Sequence, residues 1–346
     1  MRRLVCLAVA ASCTAAAADR SATPQPQTVF VQLGLTDEQR GALDAGRPVA
    51  KVLPWGASSE LYVFGAVHID GSPRTYLTLA RGVTGLAGSP GYLAIAELSP
   101  AATIEDVGAL TLDPDDIKGL KSCREGACDV QLPTASIRAF QDTVIWSQSD
   151  APAQANALAR GMVLDLVREY RRGGNAALGV YRDKQHPARV AEQFETMVGR
   201  SAALAEWLPE LREYLLRYPE ADLPGSDSFF YWEKVAFGLK PTVRVNHAVI
   251  YRRGDPAAEM SAVAIKQLYA SHYFHTALDV SICIPDERRT GRSSFYLMTL
   301  KGSEQDGLTG PRGAILRKIV VSKTRSSLET ALASIKDAVE HAPSTH

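Results

Sequence analysis

The sequence predicts an α+β protein: a curved antiparallel sheet packed on a long C-terminal helix, with a large helical insertion. Three observations lead there. Strand-like runs begin at Val49 and again from Ser228, separated by turn-rich breaks. The stretch between, residues 134–218, carries helical spacing. The chain closes on a segment, Pro311 to Glu340, with one apolar face.

The chain has 346 residues, 46% hydrophobic and 22% charged, enough for one large domain or two small ones. Lys plus Arg equals Asp plus Glu, so the formal net charge is zero and no nucleic-acid partner is expected. The basic runs "REYRRGG" and "RGAILRKIVVSKTR" sit on helix-like segments, where a solvated face accounts for them. The N-terminus, "MRRLVCLAVAASCTAAAADR", has Arg2 and Arg3, a short apolar run and a string of alanines before Asp19. That is the pattern of a cleaved secretory signal peptide, residues 1–18, and predicts a periplasmic or extracellular protein. Lipoprotein processing at Cys13 is the alternative. No later segment has the roughly 18 unbroken apolar residues of a spanning helix, so the mature chain is not expected to cross a membrane.

Residues 19–29 read as a Pro/Ser/Gln linker. Thr36, with Gln39 three places on, forms a capping box, Leu35 sits at the staple position, and Gly46 ends that helix. Val49–Leu53 starts a strand, and "SELYVFGAVHID" supplies a second, richer in β-branched and aromatic residues. Ser72 and Pro73 open a short helix. "GYLAIAELS" is a third strand and "DPDDIKGLKSC" a capped helical turn. "SCREGACD" places Cys123 and Cys128 around a glycine; in an oxidising compartment they can close a small disulfide loop. Zinc would need two further ligands nearby, and none are at metal spacing. Cys283 is left as a free thiol in an apolar strand.

In the helical stretch, Leu158, Met162, Leu166 and Tyr170 step four apart, with Gly173-Gly174 as the stop. Pro209 kinks or restarts the last helix. From Ser228 the period changes to two. "FFYWEKVAF", "TVRVNHAVIYRR", "AVAIKQLYASHYFHTALDVSICI" and "SSFYLMTL" read as strands. Leu328, Leu332, Ile335 and Val339 then line one face of the terminal helix. The chain thus divides into the signal, the linker, N-terminal strands and helices (30–133), a helical insertion (134–227), and strands with the C-terminal helix of the same domain (228–341).

Candidate functional residues come from the strand faces. Val243, Val245, His247, Val249 and Tyr251 share a face of one strand. Val263, Ile265, Gln267, Tyr269, Ser271 and Tyr273 share a face of the next if that strand is regular. Laid together, they give an apolar wall with hydrogen-bonding groups at His247, Tyr251, Gln267, Tyr269, Ser271 and Tyr273, a composition that suits a small apolar ligand. Core tyrosines with satisfied hydroxyls are the alternative. His272 and His275, three apart on a strand, point oppositely and cannot share a metal unless a bulge or bend intervenes. No GxSxG, HExxH, GxGxxG or GxxxxGK[ST] is present, so no catalytic residue, metal or cofactor is expected. The polar loop "YRDKQHP" with Asp183 reads as solvated.

The order of parts resembles the START and polyketide-cyclase-like superfamily, the helix-grip fold. A strand ending "VHIDGSP" runs into a helix at Ser72-Pro73. Antiparallel strands and one long amphipathic helix follow, over residues 49–99 and 228–340. The resemblance implies a sheet curled around the last helix, leaving room for a lipid or other apolar ligand. "GRPVAKVLPWG", "SCREGACDVQLP" and "VAIKQLYASHYF" are also similar to a group of secreted bacterial proteins, which implies export and no particular activity. The expectation is an exported binding protein for an apolar small molecule or lipid. Two alternatives stand beside it. One is an envelope hydrolase using His247 or His272 with Tyr269 or Asp183. The other is an interaction module that docks through its helical insertion.

Overall fold

Thr36 caps the helix that starts at Asp37 as its spacing with Gln39 requires, each side chain bonding the other's backbone N–H. The computed structural model describes residues 24–54, 57, 59–87, 89, 91–236, 240–253, 260–286, 293–305 and 310–342. The expected signal peptide and the Cys13 alternative lie outside them. Helix α1 (Pro26–Gln32) starts inside the segment read as a linker, with Pro26 in its first turn and Val29 and Phe30 buried. Next come α2 (Asp37–Asp44), β1 (Val49–Leu53), β2 (Glu60–Asp70), α3 (Pro73–Arg81) and β3 (Tyr92–Leu98). The Ser72 side chain caps α3 by accepting from the Arg74 N–H.

The helical insertion joins β3 to the next long strand and begins ahead of residue 134. It comprises α4 (Pro114–Leu120), α5 (Thr134–Thr143), α6 (Ala151–Gly173), a small hairpin of β4 (Val180–Tyr181) and β5 (Ala188–Arg189), then α7 (Val190–Arg200), α8 (Ala202–Trp207) and α9 (Pro209–Arg217). Pro209 restarts the helix at its first position, where a missing N–H costs nothing. Five long strands complete the sheet: β6 (Ser226–Ala236), β7 (Pro241–Arg253), β8 (Met260–Ala270), β9 (Phe274–Pro285) and β10 (Ser294–Gln305). Helix α10 (Gly310–Glu340) ends the chain.

The sheet has eight antiparallel strands in the order β1-β2-β10-β9-β8-β7-β6-β3. The inner face carries α3 and α10; the outer face is covered by α1, α2 and the insertion. Alternation assigns every strand residue to a side. Val63, Val67, Ala248, Ile250, Val263, Cys283, Phe295 and Leu297 point inward, onto Tyr76 and Leu77 of α3 and Leu328, Leu332 and Val339 of α10. Phe64, Val249, Ala264, Ile282, Tyr296 and Met298 point outward, onto Phe30, Leu43, Phe194 and Leu211. Phe230, Trp232, Val243 and Val245 meet α5 and α6. Burying the three α10 side chains contributes on the order of 5–9 kcal/mol before chain entropy. The helix sits close because glycines in β2 and just after it lie beneath: a Cβ on Gly65 would lie 2.7 Å from Leu328 Cδ2, and one on Gly71 2.8 Å from Val339 Cγ1. This is the helix-grip-like α+β architecture expected, with the insertion laid over the outside.

One expectation fails. The stretch "AVAIKQLYASHYFHTALDVSICI" is a hairpin of two strands, β8 and β9, turning at Ser271–Tyr273. The turn contains none of the usual Gly, Pro, Asn or Asp, and Tyr273 takes φ +67°.

Candidate functional site

The inner face forms a groove whose floor is the apolar set just named. At one end, α3 stands off β6 and β7 and leaves a cleft of about 380 Å³, within the range of small-molecule sites. Leu77 and Ile250 line it, and both belong to the buried cluster of the floor. A hollow on the outer face, between α7–α8 and β9–β10, has room for about 30 Å³, roughly one water molecule.

Toward the other end of the strands the floor turns polar. Glu233, Arg244, Asn246, Gln267, Asp279 and Lys301 all project from inner-facing positions of β6 to β10. Arg244 Nη1 donates to Glu233 at 2.9 Å and its Nε to Gln267 Oε1 at 3.2 Å. Asn246 Nδ2 donates to Glu233 at 3.2 Å, while its Oδ1 is buried with no hydrogen-bond partner among the described residues. Lys301 pairs with Asp279. Ser281 and Thr299 hydrogen-bond each other at 2.9 Å, and Tyr76 of α3 reaches Ser281. Burial, then the Glu233 charge, pushes the Tyr231 phenol well up, and the same two causes push Tyr92 to about 12. Burial disfavours the charge on Arg244, but Glu233, Tyr231, Asp279 and Tyr92 together more than offset it, so the guanidinium is held more firmly charged. The result is an apolar groove with a belt of paired charges across it.

The six residues that sequence reasoning put on one wall are divided by the fold. Direct partners in an antiparallel pair share a face, and His247 pairs with Lys266, Asn246 with Gln267. His247 and Tyr251 therefore face outward while Gln267 faces inward. A bulge then shifts the register, pairing Val245 with Tyr269. Leu268 is the extra residue, and Tyr269 turns outward to meet Tyr181, ring centroids 6.1 Å apart. Ser271 Oγ accepts from the Val243 N–H and the Tyr273 hydroxyl from the Lys240 N–H, both at the hairpin end. Only Gln267 of the six lies in the groove.

The outer face holds its own polar cluster. His247 stacks on Phe230, with centroids 4.4 Å apart, and its Nδ1 lies 3.4 Å from the Tyr170 hydroxyl. Burial, then the Lys266 and Arg171 charges, lowers its pKa to about 3, so the ring is neutral. Lys266 is fully buried; its ammonium donates to Tyr170 Oη at 3.1 Å and to Asn175 Oδ1, and lies 3.8 Å above the Phe194 ring. Burial pushes its pKa well down.

His272, placed in the hairpin turn, bonds Asp116 of α4 at 2.9 Å through Nε2 and the Asp129 carbonyl at 3.1 Å through Nδ1. His275 instead lies 3.4 Å from Gln193 Nε2. Among the described residues, His247 and His272 share no contact: the first faces the outer-face cluster and the second α4. Cys123 and Cys128 are disulfide-bonded, and Cys283 is a buried free thiol. The loop around Asp183 clasps the disulfide loop: Gly126 N–H donates to the Arg182 carbonyl at 2.7 Å and Cys128 N–H to the Asp183 carbonyl at 3.0 Å. Asp183 is therefore buried rather than solvated.

The belt was the missed feature. Its signal was present: Arg244 and Asn246 alternate with Val243 and Val245. Alternation of that kind reads equally as a solvent-facing side, and here that side is roofed.

The fold is a helix-grip-like α+β architecture with an open cleft beside α3. No family model matches the chain, and no curated protein matches it. Among solved structures, norcoclaurine synthase from Thalictrum flavum, in complex with dopamine and hydroxybenzaldehyde, is similar over 44% of this chain and 82% of its own, at 12% identity and a TM-score of 0.21. No helix among the described residues is long and apolar enough to cross a membrane.

Proposed function

We propose that the protein binds an apolar small molecule or lipid in the inner groove, admitted through the cleft between α3 and β6–β7. The observation that carries this is the cleft itself: about 380 Å³, open, lined by polar and charged residues, with Leu77 and Ile250 connecting it to the apolar floor. The belt supports it from the other end. Buried ion pairs contribute little or nothing to stability compared with apolar packing. The buried Arg244–Glu233 pair, and the Asn246 amide oxygen that has no hydrogen-bond partner among the described residues, therefore favour recognition of a ligand's polar group, with Gln267 taking part. Export is part of the same reading and rests on the N-terminal segment; the disulfide is compatible with it. Docking through the insertion has less support. Within residues 134–218 the exposed large apolar side chain among the described residues is Ile145, and one side chain is not a docking patch.

Native mass spectrometry of the purified protein, before and after solvent extraction, tests this. An extractable adduct is expected, together with saturable rebinding of an apolar probe. Thr78→Trp, an exposed position lining the cleft, should abolish rebinding without unfolding the protein. Absence of both adduct and probe binding would rule the reading out.

A further inference from the structure

The polar belt leaves a buried acceptor without a donor. Arg244 donates to Glu233 and to Gln267, and Gln267 Nε2 donates to the Phe274 carbonyl at 3.1 Å. Lys301 pairs with Asp279, and Asn246 Nδ2 donates to Glu233 at 3.2 Å. Each of these donor groups thus meets an acceptor on the protein. A carboxylate only accepts, so the nitrogen of the Asn246 amide must face Glu233 and its oxygen must face elsewhere. Asn246 is fully buried, and that oxygen has no hydrogen-bond partner among the described residues. Its cross-strand neighbours Tyr231 and Gln267 share its face, and neither bonds it. The charges beside it balance, Arg244 and Lys301 against Glu233 and Asp279. Asn246 also lies in line with the cleft. Ile250 lines the cleft, and Ile250, Ala248 and Asn246 follow one another on the inner face of β7. At about 3.3 Å per residue the amide is roughly 13 Å further along, past the small side chain of Ala248.

We infer that the groove takes an apolar molecule bearing a hydroxyl, whose O–H donates to Asn246 Oδ1. This rests on the groove reading and names the ligand's polar group. A buried acceptor is costly to leave unpaired, and a ligand hydroxyl supplies the missing donor. An ether or ketone only accepts, so it would set oxygen against oxygen. A carboxylate or phosphate would do the same and also face the Glu233 charge at short range. An ammonium can donate, but the two carboxylates already have cations, so its own charge would be buried without a partner.

Calorimetric titration of the purified protein with 1-decanol, decyl methyl ether, decanoate and decylammonium tests the inference. The four share a tail and differ in the head. 1-Decanol is expected to bind about tenfold more tightly than the ether, the scale of one buried hydrogen bond, and more tightly than either ion. Asn246→Leu, which removes the acceptor at similar volume, should bring alcohol and ether to equal affinity. If that variant does not fold, the ranking on the parent protein decides alone. If the ether or either ion binds as tightly as 1-decanol, or the folded variant keeps the preference for the alcohol, the inference fails while the groove reading stands. If none of the four binds, both fall.

Discussion

Adding one methyl group at Gly65 should set the inner face of β2 against α10. The new Cβ would lie 2.7 Å from Leu328 Cδ2, 2.8 Å from Leu328 Cγ and 2.9 Å from Leu332 Cδ1. Carbon atoms pack at about 3.5–4.0 Å, so each contact is roughly 1 Å too short. Both leucines are buried, Leu332 to 1% exposure, so neither can swing into solvent. Overpacking of this kind costs about 1–3 kcal/mol. An alanine in a strand regains about 0.5–1 kcal/mol over glycine, which would blur a single measurement. A double-mutant cycle removes that ambiguity. Leu328→Ala alone should cost about 2–5 kcal/mol by leaving a cavity. In the Gly65→Ala background the same truncation also relieves the clash, so it should cost about 1–3 kcal/mol less. The strand-propensity gain cancels across the cycle. Urea unfolding of the four proteins, followed by tryptophan fluorescence, gives the coupling. Additivity within about 0.5 kcal/mol would refute the claim that α10 seats directly on Gly65.

Two further outcomes are expected. His247 has its pKa lowered from 6.5 to about 3, chiefly by burial. Between those values the unfolded chain takes up a proton that the folded ring refuses, so stability falls as pH drops through that window. At 1.36 kcal/mol per pH unit the loss is on the order of 5 kcal/mol. His247→Leu should flatten the melting temperature between pH 6.5 and 4, and parallel curves for variant and parent would show that another group titrates. In the belt, Arg244→Met leaves Glu233 buried beside no cation and should destabilise the protein by about 3–5 kcal/mol, whereas adding Glu233→Gln to Arg244→Met should recover most of that loss. Chemical denaturation of both variants decides it, and equal losses in the two would mean that the pair is not the source.

Local chemistry made much of the fold legible before any coordinates. Thr36 with Gln39, Ser72 with Pro73, and Pro209 each act over one helical turn, so a few neighbouring residues settle what they do. The terminal helix was legible for the same reason, its apolar face repeating every three or four residues. The hairpin between β8 and β9 was hidden because Ser271–Tyr273 holds no Gly, Pro, Asn or Asp, and its single Ser is a weak signal; pairing of the two strands, not local preference, puts Tyr273 at a positive φ. The site was misread through parity. One extra residue, Leu268, flips every side chain after it, and no glycine marks the bulge. The belt was hidden because a charged residue inside a strand looks the same whether its face meets water or a roof.

The cladding of the outer face by the insertion has a mechanical consequence. A sheet open to water on its back can flex to admit a guest; this one is braced from behind, strand after strand. Any widening of the inner groove must therefore come from the pieces in front, by α3 tilting or α10 sliding over its glycine seats. Loading and release would then be paced by the motion of two helices over a stiff plate, and spectroscopic labels placed on α3 and α10 would report them where labels on β7 or β8 stay silent.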